Sequence, residues 1–277
     1  MISYNALNVD GLKEVLQTIA SACNKLDIDF FLVGAVARNI WYAKGDKDAG
    51  GTRDIDFGVY VPDQETYKQL KAYLIDENKY TQARDNVFGL DTPDGKRIDL
   101  LPFGEIAHDG YLTMEGRGMT SIRLDGFEEV YMNGSILAEI EEDSYRACSI
   151  AGIVILKLIA YDDRPDRRIK DIDDISRICQ HYPDIETNVI WEDHNELYSD
   201  ELEHDEVAMI VLGRQMKEIM KDNQALSERI VGIIDKALNE ESDVVDRMIN
   251  DRIKETWEAK ASIFKYIRRG IVEQKSN

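Results

Sequence analysis

The sequence predicts an α/β domain over residues 1–145 followed by a helical domain over residues 146–277. An apolar run over residues 29–33 reaches Gly34 and passes into a Val36/Ala37/Ile40/Trp41 spacing, the pattern of a buried strand turning straight into a helix. Residues 87–90 and 97–101 read as strands joined by Pro93-Asp94-Gly95, a strong hairpin turn. From about residue 146 the alternation gives way to three-four apolar spacing, first over residues 150–161. With 277 residues and 43% hydrophobic content, the chain can build one large or two modest cores.

In chain order, Leu12, Val15, Leu16, Ile19, Ala20, Cys23 and Leu26 form an amphipathic helix with Asp10 as its N-cap. Cys23 falls on the apolar stripe and reads as core. Residues 44–51 are polar and glycine-rich, hence a loop. A second helix opens after Pro62 with Asp63 as cap and Tyr67, Leu70, Leu74 and Ile75 as its apolar side. Residues 104–145 alternate turns with short segments read as further strands and a connecting helix. The last third carries apolar stripes such as Met209, Val211, Leu212, Met216 and Ile219, then Ile230, Ile233, Ile234 and Leu238. Trp257, Phe264 and Tyr266 read as core there. Residues 260–275, with Lys265, Arg268 and Arg269, form a locally basic stretch that could meet an acidic substrate.

Composition narrows the functional classes. Thirty-four basic residues against 54 acidic ones leave a formal charge of −20, which opposes broad capture of nucleic acid and suits a cationic partner. A local basic groove remains compatible with RNA. Cys23, Cys148 and Cys179 are scattered and odd in number, against a disulfide framework and in keeping with a reducing cytoplasm. His108, His181, His194 and His204 lack metalloenzyme spacing, so a zinc enzyme is not expected. The N-terminus lacks signal-peptide character, and the most apolar run, 150–160, is too short for a bilayer and contains Lys157.

The chemistry concentrates around Gly34 and the strand that follows. Gly34 lets backbone approach a ligand, and the N–H groups of a helix start favour anions such as phosphate. In Thr52-Arg53-Asp54-Ile55-Asp56-Phe57, Asp54 and Asp56 leave one face of a strand about 7 Å apart at Cα. Two hard oxygen ligands so placed suit one or two Mg²⁺ or Mn²⁺ ions. Thr52 serves equally as a local turn hydroxyl or a nucleotide contact. In residues 97–101, Asp99 opposes Ile98 and Leu100. Burying a lone aspartate is costly unless it meets a cation, which makes Asp99 the third carboxylate. Lys157 is the single charge of its helix, placed either to snorkel to the surface or to meet nucleotide phosphates.

The glycine turn followed by Asp-x-Asp resembles the signature of the DNA polymerase beta nucleotidyltransferase superfamily. The wording "FLVGAVARN…TRDIDFGV" is similar, more narrowly, to the AbiEii/AbiGii-type nucleotidyltransferases, many of which are toxins of type IV toxin–antitoxin pairs. "IDLLPFG" around Asp99 resembles the later acidic strand, and Lys157, Arg164, Lys170, Asp171 and Asp174 fall on the motif Lys-x-x-Ala…Arg…Lys/Arg-Asp-x-x-Asp. The resemblance covers roughly residues 12–183. It implies a polymerase beta-like domain with a mixed sheet and flanking helices, followed by helices that close over the nucleotide. It also implies an NTP substrate, Mg²⁺ or Mn²⁺ on Asp54, Asp56 and Asp99, and nucleotide contacts from Gly34, Ala35, Arg38, Thr52, Lys157, Arg164 and Lys170. Asp171 and Asp174, at i,i+3, would orient Lys157 by ion pairs. One departure stands out: the superfamily has Gly-Gly or Gly-Ser at the turn, and Ala35 supplies no hydroxyl. The acceptor implied is an RNA end, such as that of a tRNA, or a protein hydroxyl, with an antitoxin protein as partner. An aminoglycoside-type antibiotic acceptor and a non-catalytic nucleotide-binding protein are the alternatives.

Overall fold

The structure, a computed structural model, describes residues 2–108, 110–115, 119–239, 242–249 and 256–273. The chain forms two compact units, Met1–Tyr131 with Ser135–Ser149, and Met132–Gly134 with Ile150–Asn277.

The first unit is a mixed seven-stranded sheet with helices, and a separate hairpin. Helix α1 (Leu12–Lys25) leads to β1 (Asp29–Leu32), α2 (Gly34–Lys44), β2 (Asp54–Tyr60) and α3 (Gln64–Asp76). Then come β3 (Thr81–Gln82), β4 (Gly89–Asp91), β5 (Arg97–Phe103), the hairpin β6 (Tyr111–Glu115) and β7 (Met119–Arg123), α4 (Phe127–Asn133), β8 (Ser135–Ile140) and β9 (Asp143–Cys148). The strand order is β3-β4-β5-β2-β1-β9-β8. β2 runs parallel to β5 and β1 to β9, and the remaining neighbours are antiparallel.

Local chemistry explains most of these elements. Asp63 caps α3 as its position predicts, its Oδ1 accepting from the Thr66 N–H at 2.7 Å. The Thr92–Lys96 turn joins β4 and β5 in an antiparallel pair, with Asp91 opposite Arg97. The N-cap of α1 differs from expectation. Gly11, at φ +59°, occupies the cap and no side chain accepts there. The glycine ends the preceding turn one residue later than Asp10 would, so the aspartate lies outside the helix. Cys23, Cys148 and Cys179 are all buried. Burial pushes the Cys23 and Cys179 thiols up to about 12, consistent with core residues and not nucleophiles.

Tyr67, fully buried, pins α3 to the sheet by donating its hydroxyl to the Leu100 carbonyl at 2.8 Å. One turn on, Lys71 lies half-buried, its Nζ donating to Gln82 Oε1 at 2.5 Å and to the Val87 carbonyl at 2.6 Å. Burial among neutral partners pulls its pKa down from 10.5 to about 8. The unfolded chain therefore binds the extra proton between those values, and the folded state gains stability as pH rises from about 8 to 10.5. Melting curves of wild type and Lys71→Met across that window should move apart in favour of wild type. A constant difference would show that burial does not disfavour the ammonium.

The second unit is helical, as the spacing from residue 150 predicts: α5 (Ile150–Asp163), α6 (Ile169–Ile185), α7 (Thr187–Asp193), α8 (His204–Ile219), α9 (Gln224–Ala237), α10 (Asp243–Met248) and α11 (Trp257–Val272). Met209, Val211, Leu212, Met216, Ile219, Ile230, Ile233, Ile234 and Phe264 are buried, while Trp257, Tyr266 and Leu238 are half-exposed. Helices α8 and α11 cross backbone to backbone. A Cβ on Gly213 would fall 2.1 Å from the Ile267 carbonyl oxygen, and one on Gly270 the same distance from that of Ile210. In the basic stretch, Arg268 pairs with Asp235 and Arg269 with Glu273, and Lys265 is exposed. Lys275 lies outside the described residues. No helix among the described residues is long and apolar enough to cross a membrane.

Candidate active site

The parallel pairing of β2 with β5 builds the candidate site. Its register sets Asp54 beside Arg97 and Asp56 beside Asp99. Partners in a parallel pair point to the same face, about 4.8 Å apart across the strands. The four side chains therefore occupy one patch, with Ile55, Phe57, Ile98 and Leu100 fully buried on the other face. Asp54 is exposed, and Asp56 and Asp99 are half-exposed. The sheet thus presents its carboxylates on a solvent-accessible face.

Gly34 couples the first half of the motif to the second. The Val33 N–H donates to the Asp56 carbonyl at 3.1 Å, extending the β1–β2 ladder up to the turn. Gly34 then adopts φ +61°, and a Cβ there would lie 2.2 Å from Asp56 Oδ2. The glycine meets a backbone demand and at the same time leaves room for the carboxylate. Gly34 and Ala35 are half-exposed at the start of α2, where the helix dipole favours negative charge.

Thr52 closes a local turn: its hydroxyl donates to the Asp54 carbonyl at 3.0 Å and accepts from the Asp54 N–H at 3.3 Å. That makes it a brace for the strand entry. Arg38 is buried, its guanidinium donating to Asn39 Oδ1. Asn39, fully buried, in turn donates to the carbonyls of Leu7 and Gly50, each at 2.9 Å. The pair therefore steadies the loop that delivers Asp54, which accounts for a buried arginine in α2.

Three residues of this patch escape a reading of local pattern. Asn86 donates from Nδ2 to Asp99 Oδ1 at 3.0 Å. Gly89, opposite Asp99 in the β4–β5 register, makes space for it, since a Cβ there would come within 2.9 Å of Asp99 Oδ1. Arg97 is drawn away toward Asp91 at 2.7 Å and Asp85 at 3.1 Å. The Asp91–Arg97 pairing follows once the Pro-Asp-Gly hairpin is drawn. Asn86 carries no comparable signal.

Among the described residues, no three His, Cys, Asp or Glu side chains stand together as a metal-ligand group. Asp56 packs against Gly34, and Asp99 accepts from Asn86. The all-oxygen donor set nevertheless suits Mg²⁺ or Mn²⁺ in kind, and its exposure leaves access.

In the second unit, Lys157 of α5 donates from Nζ to Asp171 Oδ1 at 2.8 Å and to Asp174 Oδ2 at 2.7 Å, both on α6. The i,i+3 spacing thus brings both carboxylates to one ammonium. Side-chain exposures of 14% for Lys157 and 11% for Asp171 make this a mostly buried pair. Arg164 pairs with Asp163 at 3.2 Å, and Lys170 is exposed. Lys157→Met should cost the second unit about 3–5 kcal/mol, because the mostly buried Asp171 would keep only the longer contact with Arg168 at 3.9 Å. Urea unfolding of the variant checks this, and an unchanged midpoint would mean that the triad adds nothing to stability.

No protein-family model matches the sequence, and no curated protein matches it. Among solved structures, the chain is similar to the antibiotic-resistance factor ANT(2'')-Ia in solution, at 12% identity over 68% of this chain and 95% of that one, with a TM-score of 0.40. It is similar to an antigenic nucleotidyltransferase-like protein from Paracoccidioides brasiliensis at 14% identity, over 72% and 93% of the two chains, with a TM-score of 0.38. It is also similar to the Thermotoga maritima CCA-adding enzyme complexed with tRNA, at 12% identity over 95% and 82%, with a TM-score of 0.32. Likenesses this distant carry no assignment of function, which rests instead on the residues of this chain.

Proposed function

We propose that the protein is a metal-dependent nucleotidyltransferase of the DNA polymerase beta-like kind, moving an NMP from an NTP to an RNA end or a protein hydroxyl. On this reading it is the toxin-like half of a type IV toxin–antitoxin pair, in keeping with its resemblance to AbiEii/AbiGii-type proteins. One observation carries the proposal: the parallel β2–β5 register, which sets Asp56 beside Asp99 and on the same face as Asp54.

Asp54, Asp56 and Asp99 would hold Mg²⁺ or Mn²⁺. An ion held there would neutralise triphosphate charge and make the attacking hydroxyl easier to ionise. The backbone N–H groups of Gly34 and Ala35 bind phosphate oxygens at the helix start, doing without the side-chain hydroxyl that Ala35 lacks. Thr52 fixes the strand entry so that Asp54 keeps its aim. Asp99, steadied by Asn86, accepts a hydrogen bond from the acceptor hydroxyl and orients it. Asp99 takes the hydroxyl proton as the acceptor oxygen forms a bond to the α-phosphorus and the bond to the bridging oxygen breaks, so that pyrophosphate leaves. In the second unit, Lys157, Arg164 and Lys170 are the cations that the resemblance directs to the phosphates. Asp171 and Asp174 hold Lys157 in one orientation.

The net charge of −20 favours a second reading, in which the acceptor is a cationic aminoglycoside-type antibiotic. Transfer of α-³²P label from each NTP into total tRNA, total protein and an aminoglycoside panel separates the two. Asp54→Ala/Asp56→Ala serves as control. Label in RNA or protein that the double substitution removes supports the toxin-like reading, and growth arrest on expression should vanish with it. Label in a small molecule supports the resistance reading. NTP binding with label in none of them would leave a non-catalytic nucleotide-binding protein.

A further inference from the structure

An open cleft of about 750 Å³ lies in the first unit between α3, the segment from β3 to residue 87, and the β6–β7 hairpin. That size falls within the range of small-ligand sites. Its α3 wall is formed by Lys68, Lys71, Ala72 and Ile75 at i, i+3, i+4 and i+7, the stripe beside the buried Tyr67, Leu70 and Leu74.

Two features of the cleft point to an anion. Lys68, Lys71 and Arg84 line it against Asp85 and Glu115, and Asp85 is already engaged by Arg97 at 3.1 Å. In a chain with a formal charge of −20, such a local excess of cations runs against the whole. Lys71 is the sharper observation. Its ammonium meets Gln82 Oε1 and the Val87 carbonyl, and lies 5.7 Å from the centroid of the Tyr67 ring. Among the described residues no carboxylate forms a salt bridge with it. A half-buried ammonium without a counter-charge is costly, and an anion in the cleft would offset that cost.

The cleft adjoins the carboxylate face. Asn86 lines it and also donates to Asp99 Oδ1 at 3.0 Å, so one side chain belongs to both. On the opposite wall, Met119, 70% exposed above the buried Met114, offers polarizable apolar surface of the sort that packs on aromatic rings. Cations beside soft apolar groups fit a single nucleic-acid strand, whose phosphates take the charge and whose bases take the apolar wall.

Resting on the nucleotidyltransferase reading above, we propose that this cleft receives the acceptor strand. Lys71, Lys68 and Arg84 hold backbone phosphates near the end of an RNA, and Asn86 marks where its terminal hydroxyl meets Asp99. The acceptor is then RNA, and neither a protein hydroxyl nor an aminoglycoside.

The test is binding of a fluorescein-labelled single-stranded RNA and of total tRNA to the full chain across a salt series. Wild type is run beside Lys71→Met and the exposed-side double variant Lys68→Gln/Arg84→Gln, which leaves the core untouched. Each variant should weaken RNA binding about tenfold near 0.1 M salt. Each should also lower the slope of log K against log salt by about 0.7 for every phosphate that is no longer neutralised. Affinity for a non-hydrolysable NTP should stay at the wild-type value. Unchanged RNA affinity and slope in the folded double variant would overturn the proposal. So would a parallel fall in NTP affinity, which would make the cleft a triphosphate site. The two readings fail separately. RNA transfer with an unaltered KM in both variants removes the cleft and leaves the nucleotidyltransferase standing. Loss of RNA binding in variants of a protein that labels no acceptor keeps the cleft and removes the transfer reaction.

Discussion

Asp56→Asn should abolish nucleotidyl transfer, lowering kcat/KM by at least about 10³, which is about 4 kcal/mol of transition-state stabilisation. The expectation follows from position. Asp56 is the member of the patch that touches the other parts: it shares a face with Asp54, stands in register with Asp99, and packs its Oδ2 against Gly34. Asparagine keeps the shape that fits over the glycine and removes the charge that would hold the ion. Folding stability should therefore change by less than about 1 kcal/mol, since the side chain is half-exposed and loses no volume. Label incorporation beside a thermal melt checks both halves. A variant that melts like wild type and keeps a tenth or more of the activity would remove Asp56 from the site.

Gly34→Ala carries the second largest effect, by two routes that can be separated. At φ +61°, an alanine costs about 1–2 kcal/mol of backbone strain. Its Cβ would also stand 2.2 Å from Asp56 Oδ2, so the carboxylate must swing away or the turn must shift. Displacing a reacting group by about 1 Å costs on the order of 10² in rate. The comparison is Gly95→Ala in the β4–β5 turn, where φ is +83° and a Cβ meets nothing within 4 Å. That variant should lose similar stability and keep its activity. Equal activity losses in the two would mean that strain alone, and not the position of Asp56, limits turnover.

Local pattern made some of this site legible and topology hid the rest. The strand–glycine–helix turn, the Asp63 cap, the Pro-Asp-Gly hairpin and the apolar α5 are each set by a few neighbouring residues, and each is found where the spacing puts it. Period-two alternation likewise put Asp54 and Asp56 on one face. It could not make Asp99 their neighbour, because that depends on a parallel pairing across more than forty residues of chain. The pairing of β1 with β9, from Leu32 to Ala147, is more distant still. Residues 104–145 gave little because their strands are short and half-exposed, and β7 has no fully buried residue to mark its inner face. The burial of Arg38 beside Asn39 was hidden for another reason: it becomes visible only when the loop carrying Gly50 folds onto Asn39.

The central question is which bond of the NTP is broken. The most direct measurement supplies two preparations of each NTP, one labelled at the α- and one at the γ-phosphate, with Mg²⁺ and total tRNA. The products are then followed for wild type and Asp56→Asn. A nucleotidyltransferase built on Asp56 puts α-label in the acceptor and releases γ-label as pyrophosphate in equal amount, and the variant does neither. Transfer of the γ-label to the acceptor, or turnover that persists at the wild-type rate in Asp56→Asn, would contradict it.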